Sequence, residues 1–508
     1  MISTELLLQC AIAGLCILLT ISFARARGDK LSFLPYPPGP KPLPIVGNAF
    51  QLPQKMPWKT YAQWGKEYGD LIHFTAFGQH IIVINSAKVA NDLFERRSNI
   101  YSDKPHVPMV NLTGWDYVIG FMPYSDRWRQ HRRYFHQVFR PQQAVKYNDT
   151  IRRKVRDLLR RLRNDPDGFG DHTKYWATDN IMSTVYGYDL DPKGDGFIEL
   201  AENAMTMLSH AVFPGTFLVN SLPSLGYLPD WCPGTGFKRY GRQCSEMTTA
   251  IQEVPYKITK ERMEQSGPFP CVTSDLIKRS IASGRMNAEE EGVIKRVAGV
   301  AYAAGSDTSA SALQTAILAM VVYPGAKCKA QAELDAVVGN SRLPDFDDRE
   351  LLPYTEAFFR EVLRWQPVTP LALAHATSSD DVYEGYYIPA GATVFGNSWA
   401  ILHDERTYED PEEFRPERFL HTDGTLTDKF PMSAFGFGRR ICPGRHVADA
   451  SVWAAIASVL SAFDVQKATD DAGREIPVKV EYTDGLLSHP LPFKCRIVPR
   501  KDASVGTI

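Results

Sequence analysis

Phe435-Gly436-Phe437-Gly438-Arg439-Arg440-Ile441-Cys442-Pro443-Gly444 is the stretch of sequence on which the interpretation of this chain depends. Cys442 follows a glycine-containing turn and precedes a predicted helix that runs from residue 445 to about residue 463. Gly436 and Gly438 lack a Cβ, so the backbone can turn sharply and bring its N–H groups close to the sulfur. The start of the helix directs unpaired N–H groups and the positive end of its dipole at the same atom. Both effects favour the thiolate, the form of cysteine that binds metals.

An isolated cysteine is more often a small buried apolar residue than a ligand, but its neighbours here favour the second interpretation. Arg440, two residues before the sulfur, could pair with an anionic ligand. Phe435, Gly438, Arg440, Cys442 and Gly444 also reproduce the haem-binding signature F-x-x-G-x-R-x-C-x-G. On these residues the chain resembles the cytochrome P-450 superfamily of haem-thiolate monooxygenases. The resemblance implies that Cys442 is the axial ligand of the iron of haem b, because a thiolate donates electron density that favours O–O cleavage.

Length and composition indicate one large enzyme domain. The 508 residues would allow about three domains, but the motifs lie between residues 128 and 442 and would have to meet at one cofactor. The chain has 57 Lys and Arg against 58 Asp and Glu, which gives no reason to expect a nucleic-acid partner. Its eight cysteines are scattered without a C-x-x-C motif, which argues against a disulfide framework or a zinc site and fits a reducing cytosol.

The N-terminus is predicted to be a membrane anchor over residues 1–24. Residues 6–23 are almost entirely apolar, close to the roughly 20 residues that span a bilayer, and a basic cluster follows. A cleaved signal peptide would begin with basic residues, whereas Glu5 is the only early charge, and a buried core helix would show a polar face. The basic cluster after the apolar run places the rest of the protein in the cytoplasm, on the endoplasmic reticulum membrane.

Residues 25–48 are predicted to be a basic and proline-rich hinge, followed by the haem-thiolate domain over residues 49–508. The prolines between Pro35 and Pro44 make this segment stiff and non-helical, and it resembles the hinge of microsomal members of the family. Residues 71–77 and 78–85 are predicted to form a small β-hairpin.

Trp128 and Arg132 form a W-x-x-x-R motif and would lie on one face of a helix. The residues alone fit either a clasp for an anionic group or a solvated basic face. The resemblance implies that these two side chains contact a haem propionate and that His375 contacts the second. The remaining basic residues of this helix could form a docking surface for an acidic redox partner.

A long helix is predicted over residues 293–323, with Ala304-Gly305-Ser306-Asp307-Thr308-Ser309 in its middle. This string matches the oxygen-activation motif A-G-x-D-T-T of the family, with Ser309 in place of the last threonine. We expect Gly305 to leave room for dioxygen, and Thr308 to bond a carbonyl one turn back. Asp307 and Thr308 could then relay protons to bound oxygen. Without the resemblance, a Ser/Thr cluster within a helix usually has no function.

Glu361 and Arg364 form an E-x-x-R pair, and Arg418 lies in the Pro416-Glu417-Arg418-Phe419 segment that follows. A pair at this spacing is weak evidence alone, since exposed examples contribute only about 0.2–0.5 kcal/mol. Its position about seventy residues before Cys442 matches the buried Glu–Arg–Arg network of the family. We therefore assign these three residues a structural role in bracing the haem-binding core.

The substrate is expected to be lipophilic and uncharged, for example a terpenoid, a steroid or a polycyclic aromatic. By family position, the pocket would draw on five mainly apolar segments: residues 109–121, 213–231, 297–308, 368–373 and 486–488. Within them, residues 218–231 are apolar, aromatic and interrupted by proline. This segment could either contact the membrane surface near the substrate entrance or form an ordinary buried loop.

The predicted fold is mainly α with a small β portion, the cytochrome P-450 fold, preceded by a single N-terminal transmembrane helix. The resemblance implies insertion of one atom of dioxygen into a substrate, with electrons from NADPH through a separate flavoprotein reductase, because the chain contains no nucleotide-binding βαβ motif or flavin module. Two alternatives remain: a haem-thiolate isomerase or dehydratase that acts on peroxides, and a non-enzymatic, membrane-tethered haem sensor. Neither alternative needs the pair formed by Asp307 and Thr308.

Overall fold

The longest helix of the molecule, Ala288–Val322, runs through the centre of the fold. We analysed a computed structural model that describes residues 34–191, 196–213 and 215–500. The predicted anchor, residues 1–24, lies outside the described residues. The central helix begins five residues before the predicted start, because the Asn287 side chain accepts a hydrogen bond from the Glu290 N–H at 2.9 Å and caps it. Three glutamates in the first turn also complement the positive end of the helix dipole.

The α-helices of the described residues are numbered in chain order. They are α1 Pro57–Tyr68, α2 Ala87–Ala90, α3 Ser98–Tyr101, α4 Pro108–Leu112, α5 Asp126–Phe139, α6 Pro141–Ala144, α7 Asn148–Asn164, α8 Phe169–Tyr186, α9 Phe197–Val212, α10 Leu218–Ser221, α11 Gly236–Ser266, α12 Val272–Ala282, α13 Ala288–Val322, α14 Pro324–Val337, α15 Pro353–Trp365, α16 Ser398–Leu402 and α17 Arg445–Ala462. A single π-helical segment, Asn91–Arg96, follows α2.

The strands form small sheets at the periphery of this helical body. They are β1 Leu71–Ala76, β2 Gln79–Ile84, β3 His375–Ala376, β4 Asp381–Tyr383, β5 Tyr386–Ile388, β6 Thr393–Gly396, β7 Phe463–Lys467 and β8 Cys495–Pro499. The largest sheet has the order β1-β2-β6-β3, and β4-β5 and β7-β8 form two antiparallel pairs. The predicted hairpin is confirmed as β1 and β2, which join through Phe77 and Gly78 with φ values of 49° and 77°. Mainly helical structure with small sheets agrees with the predicted fold class.

The described part of the proline-rich segment lies against β1 of the large sheet and against β5. The backbone N–H of His73 in β1 donates to the Pro38 carbonyl at 3.0 Å, and the Tyr387 N–H donates to the Pro35 carbonyl at 2.9 Å. A Cβ on Gly39 would lie 1.9 Å from the His73 oxygen, so only glycine permits this approach. The chain is therefore fixed to the folded body from about residue 35 onward.

Helix α13 packs against α8, α11 and α17, and most of its side chains are buried. A helix that is apolar around its whole circumference is expected in the core of a large protein. No single helix among the described residues is long and apolar enough to cross a membrane. Helices α13 and α14 reach the necessary length and hydropathy only when they are counted together, and the angle between them is 105°.

The Glu361, Arg364 and Arg418 side chains meet in one buried network. Arg364 Nε donates to Glu361 Oε2 at 2.7 Å, and Arg418 Nε donates to Glu361 Oε1 at 3.0 Å. Both Glu361 and Arg364 are fully buried, and Arg364 Nη1 also donates to the Leu402 carbonyl at 3.0 Å. The network thus joins α15 to α16 and to the segment that leads toward residues 435–444. Removing one partner from such a pair typically costs about 3–5 kcal/mol, because a buried charge loses its counter-charge.

Candidate active site

Residues 435–444 form a tight loop that closes on itself before α17. The Cys442 N–H donates to the Phe435 carbonyl at 2.9 Å. Gly436 and Gly438 have φ values of 85° and 56°, in the left-handed region that favours glycine. A Cβ on Gly438 would also lie 2.2 Å from the Phe94 carbonyl oxygen, which leaves no space for a side chain. The glycines of the sequence motif are therefore required by the backbone and by the close approach of the preceding π-helical segment.

The Cys442 thiol lies at the start of α17, as the sequence predicts, but its pKa is raised. Burial is the largest cause. The backbone N–H groups of Gly444 and Arg445 and the charges of Arg132 and Arg445 act in the opposite direction without cancelling it. The prediction that the loop and helix alone favour the thiolate was therefore incomplete. A metal ion bound to the sulfur would displace the proton, since coordinating thiols are deprotonated outright.

Arg440 is half-buried and lies above the Trp128 ring, with its guanidinium carbon 4.4 Å from the ring centroid. Its three nitrogens donate to the carbonyls of Ser102, Ile119 and Met122 at 2.7, 3.0 and 2.9 Å. Burial lowers the pKa of Arg440 to about 10. An arginine has five N–H donors, so further donors remain for an anionic ligand.

Three other predicted cofactor-binding residues surround the same region. The Trp128 Nε1–H is buried and has no hydrogen-bond partner. One helical turn later, Arg132 Nη1 donates to the Ile441 carbonyl at 2.6 Å, next to the cysteine. His375 Nδ1 lies 2.7 Å from the Tyr101 carbonyl and therefore carries the proton that it donates to that oxygen. Burial, together with nearby positive charge, lowers the pKa of His375 well below its ordinary value.

Lys104 belongs to this cluster, although nothing in the sequence singled it out. Its amine donates to the Leu373 and Ala374 carbonyls at 2.9 and 2.8 Å. Only 7% of the residue is exposed, and burial and the nearby Arg440 lower the pKa of Lys104 well below its ordinary value. Its carbonyl partners, about 270 residues later in the chain, lie directly before His375, so only the folded structure reveals this contact.

The cluster fits a ligand that carries negative charge. Arg132, Arg440, Lys104 and His375 form no ion pair with a carboxylate anywhere in the described part of the chain. Lys104 is buried, and Arg132 and Arg440 are half-buried. Charges and N–H groups that lose water without gaining a partner are costly, so this arrangement fits an anion. The two propionates of a haem beside a thiolate would supply it, and the orphaned Trp128 N–H would gain a partner.

The motif in α13 lies where this otherwise buried helix becomes accessible. Ala304 is exposed and Thr308 is half-buried, although the residues of the next turns are buried. Thr308 Oγ1 donates to the Ala304 carbonyl at 2.7 Å, which is the bond expected from the sequence. This bond leaves the hydroxyl at the accessible surface of the helix, where it can also accept a hydrogen bond.

The interpretation of Gly305 was wrong. A Cβ at this position would lie 2.7 Å from Ile181 Cγ1 in α8, so the missing side chain would point into a helix–helix contact. Glycine here permits the close packing of α13 on α8 and does not itself create space for dioxygen beside Thr308.

Asp307 and Thr308 are neighbours in sequence, but their side chains have different partners. The Asp307 carboxylate lies 3.2 Å from His489 Nε2, and Thr308 is bonded to its own helix. No hydrogen bond joins the Asp307 and Thr308 side chains to each other. His489 was not identified from the sequence, because it lies 182 positions later and belongs to no motif.

Comparison with known proteins settles the family. The family model for cytochrome P450 matches residues 37–497. The chain is a member of the cytochrome P450 family. It is 39% identical to cytochrome P450 monooxygenase 98 of Postia placenta, over 100% of this chain and 98% of the relative. It is also 43% identical to cytochrome P450 monooxygenase ple1 of Rhodocybe pseudopiperita (91% of this chain, 89% of the relative) and 38% identical to tryptamine 4-monooxygenase of Psilocybe cyanescens (94% and 96%).

The protein is therefore a cytochrome P450 monooxygenase, and the family implies a haem, a redox partner and a substrate. When bound, the haem supplies the redox chemistry that activates dioxygen. Cys442 would hold the iron, and the cationic cluster would hold the propionates.

Lys104→Met tests the contribution of the cation that the sequence did not reveal. Methionine keeps the length of the side chain and removes its charge, together with the donors to the Leu373 and Ala374 carbonyls. A hydrogen bond between Lys104 and a propionate would contribute about 1.5–3 kcal/mol. We therefore expect the variant to lose haem to an excess of a haem-scavenging apoprotein about tenfold faster than the parent, or more. Lys88→Met, at an exposed lysine paired with Glu384, is the matched control. Equal rates of haem loss from both variants and the parent would exclude a role for Lys104.

Proposed function

We propose that this P450 oxidises a lipophilic, uncharged small molecule, using one atom of dioxygen and electrons from NADPH through a separate flavoprotein reductase. One observation carries the substrate class: the predicted pocket segments are neighbours and contain few charged residues, each of which has a partner. Ser488 N–H donates to the Val368 carbonyl at 2.9 Å. A Cβ on Gly120 would lie 2.5 Å from Leu373, and one on Gly299 would lie 3.7 Å from Tyr117.

The charged residues of these segments are few, and each contacts a partner side chain. The only charged residues within them are Asp116, Asp230 and Asp307. Asp116 pairs with Arg127 at 3.0 Å, Asp230 pairs with Arg242 at 2.7 Å, and Asp307 pairs with a histidine. A charged substrate would need an unpaired counter-charge, because burying a lone charge is costly. A terpenoid, a steroid or a polycyclic aromatic fits these conditions.

One relative is named for tryptamine, an amine that is cationic near neutral pH. Such a substrate would favour a free carboxylate in the pocket, and the pairing of all three aspartates argues against it for this chain. One experiment separates charged from uncharged substrates. Membranes that contain the protein and a flavoprotein reductase are incubated with terpenoids, steroids, polycyclic aromatics and tryptamine. We expect NADPH-dependent products that have gained one oxygen atom only from uncharged substrates. Oxidation of tryptamine alone would contradict the proposal.

The same experiment tests the two other functions that the sequence leaves open. A haem-thiolate isomerase or dehydratase would convert peroxides without reductase or NADPH, and a haem sensor would convert nothing. Product formation that depends on NADPH, dioxygen and reductase together would exclude both.

A basic surface beside the cysteine loop supports docking of an acidic reductase. A small pocket of about 70 Å³ reaches the loop at Pro443, and most of its lining is basic or polar: Arg132, His136, Phe139, Arg140, Pro141, Pro443, Arg445 and His446. Complementary charge speeds the encounter of such partners and orients them. An electron donor bound here would lie close to the proposed ligand of the haem iron.

We also propose that residues 1–24 anchor the protein in the endoplasmic reticulum membrane, with residues 49–508 in the cytosol. The surface of the described domain supports a membrane-facing side. In the segment 218–231, Tyr227 and Trp231 are 90% and 82% exposed, which does not fit a buried loop. Gln79, at the turn end of the β-hairpin, donates to the Asn220 and Ser221 carbonyls at 3.5 and 3.4 Å. These bonds place this segment next to the sheet that receives the proline-rich hinge.

Replacing Tyr227 and Trp231 by serine in a chain that begins at Leu31 tests this side of the domain. Exposed aromatic side chains are favoured at the membrane interface, so we expect the variant to bind less to vesicles of neutral phospholipid. Ile281→Ser, at an isoleucine that is 60% exposed on α12, is the control. Unchanged vesicle binding after the double substitution, with retained haem, would remove this segment from the membrane contact.

Thr308→Ala tests the proton relay. Alanine preserves the helix, so folding and haem binding should change little. A positioned proton donor raises the rate of the step that it serves about 10²–10⁴-fold. Without it, NADPH should still be consumed, but hydrogen peroxide should replace most of the product. Ser306→Ala is the matched control, because Ser306 Oγ makes the same bond to a carbonyl one turn back at 2.7 Å but is buried. A Thr308→Ala enzyme with the parent's ratio of product to NADPH would remove this hydroxyl from the mechanism.

A further inference from the structure

The C-terminal turn formed by residues 482–490 lies along one face of α13. Tyr482 Oη donates to Thr315 Oγ1 at 3.2 Å, and Ser311 Oγ donates to the Ser488 carbonyl at 2.6 Å. One turn earlier, Asp307 Oδ1 lies 3.2 Å from Nε2 of the histidine at position 489. The three helix residues are four positions apart and so share a face. The contact with the aspartate is thus the last of three that join the turn to the helix.

The turn is itself held by hydrogen bonds, so the position of the histidine is fixed before it meets the helix. The His489 N–H donates to Thr483 Oγ1 at 2.9 Å, and the Thr483 N–H donates to the His489 carbonyl at 2.8 Å. Ser488 Oγ donates to the Thr483 carbonyl at 3.2 Å. A side chain on such a constrained turn loses little entropy when it makes its contact.

This contact orients the acid of the oxygen-activation motif. The Asp307 side chain is directed toward His489, whereas the Thr308 hydroxyl is bonded to the Ala304 carbonyl. The side chains of His489 and Asp307 are 21% and 22% exposed, so each still reaches water. An imidazole beside a carboxylate can hold it in place and can also give it a proton, because the imidazole exchanges protons near neutral pH.

We propose that His489 is a positioning residue of this P450, which orients the Asp307 carboxylate and returns a proton to it from solvent. In that step the Nε2–H bond of the imidazolium breaks and an O–H bond forms on Asp307 Oδ1. The neutral imidazole then takes a proton from water. The proposal rests on the proposed relay through Asp307 and Thr308 and adds the group that reloads the acid.

Two substitutions separate orientation and proton transfer from simple support of the turn. His489→Ala removes the side chain, and His489→Gln offers an amide donor that cannot transfer a proton. Ser311→Ala is the matched control, because it deletes another bond between the same turn and the same helix without touching the acid. We expect both histidine variants to form about tenfold less product per NADPH, with hydrogen peroxide released instead, since a positioned acid is worth about 10²–10⁴-fold. Ser311→Ala should keep the parent's ratio, and added hydrogen peroxide should restore product in the histidine variants.

A second measurement does not depend on turnover. Thermal unfolding of the full chain is compared for Asp307→Asn, His489→Gln and the double variant. Residues in contact give non-additive changes, so we expect the double variant to lose no more in Tm than the larger single loss.

The outcomes also separate this proposal from the proposed function. A parent enzyme without NADPH-dependent product would overturn both. A coupled parent whose two histidine variants keep the same ratio of product to NADPH would overturn only the role of His489. Additive Tm changes for Asp307→Asn and His489→Gln would likewise show that the contact does not orient the acid.

Discussion

The protein buries positive charge near residues 435–444 without an equal amount of negative charge, and the active site depends on this imbalance. Arg440 and Lys104 are held by backbone carbonyls, which solvate a cation but do not neutralise it. Burial lowers the pKa values of both side chains, because the loss of water disfavours a charge, although the nearby Asp103 acts in the opposite direction. A dianionic haem would remove the imbalance, so the binding of haem and the stability of this region are linked.

The buried charged network around Glu361 has the opposite character. Glu361 accepts hydrogen bonds from Arg364, Arg418 and the Arg415 N–H, and the remaining donors of the arginines bind carbonyls. In this network one carboxylate and several backbone carbonyls accept from both arginines, so no ligand is needed to satisfy their donors. This contrast explains the different roles of the two groups of residues. The Glu361 network fixes the fold around the cysteine loop, and the cationic cluster of Arg440 and Lys104 supplies the ligand site.

The elements that the sequence predicted were those with local signals. The glycine loop before Cys442, the bond from Thr308 to the carbonyl one turn back, and the hairpin at residues 71–85 depend on neighbours a few residues away. Non-local contacts escaped prediction where no family motif indicated them, as one did for Glu361 and Arg418. Lys104 meets carbonyls some 270 residues later, and Asp307 meets a histidine in the last turn before β8. Gly305 was misinterpreted for the same reason, because its neighbour lies on another helix.

The most direct test of the account is the spectrum of the reduced, carbon monoxide-bound protein in which Cys442 is replaced by alanine. The matched control is Cys328→Ala, which removes an exposed thiol from α14. Because the Cys442 thiolate is the proposed axial ligand, Cys442→Ala should lose the thiolate-type spectrum and all oxygenation. Cys328→Ala should keep both. A Cys442→Ala protein that still shows the thiolate-type spectrum would contradict the assignment of the haem ligand and the site built around it.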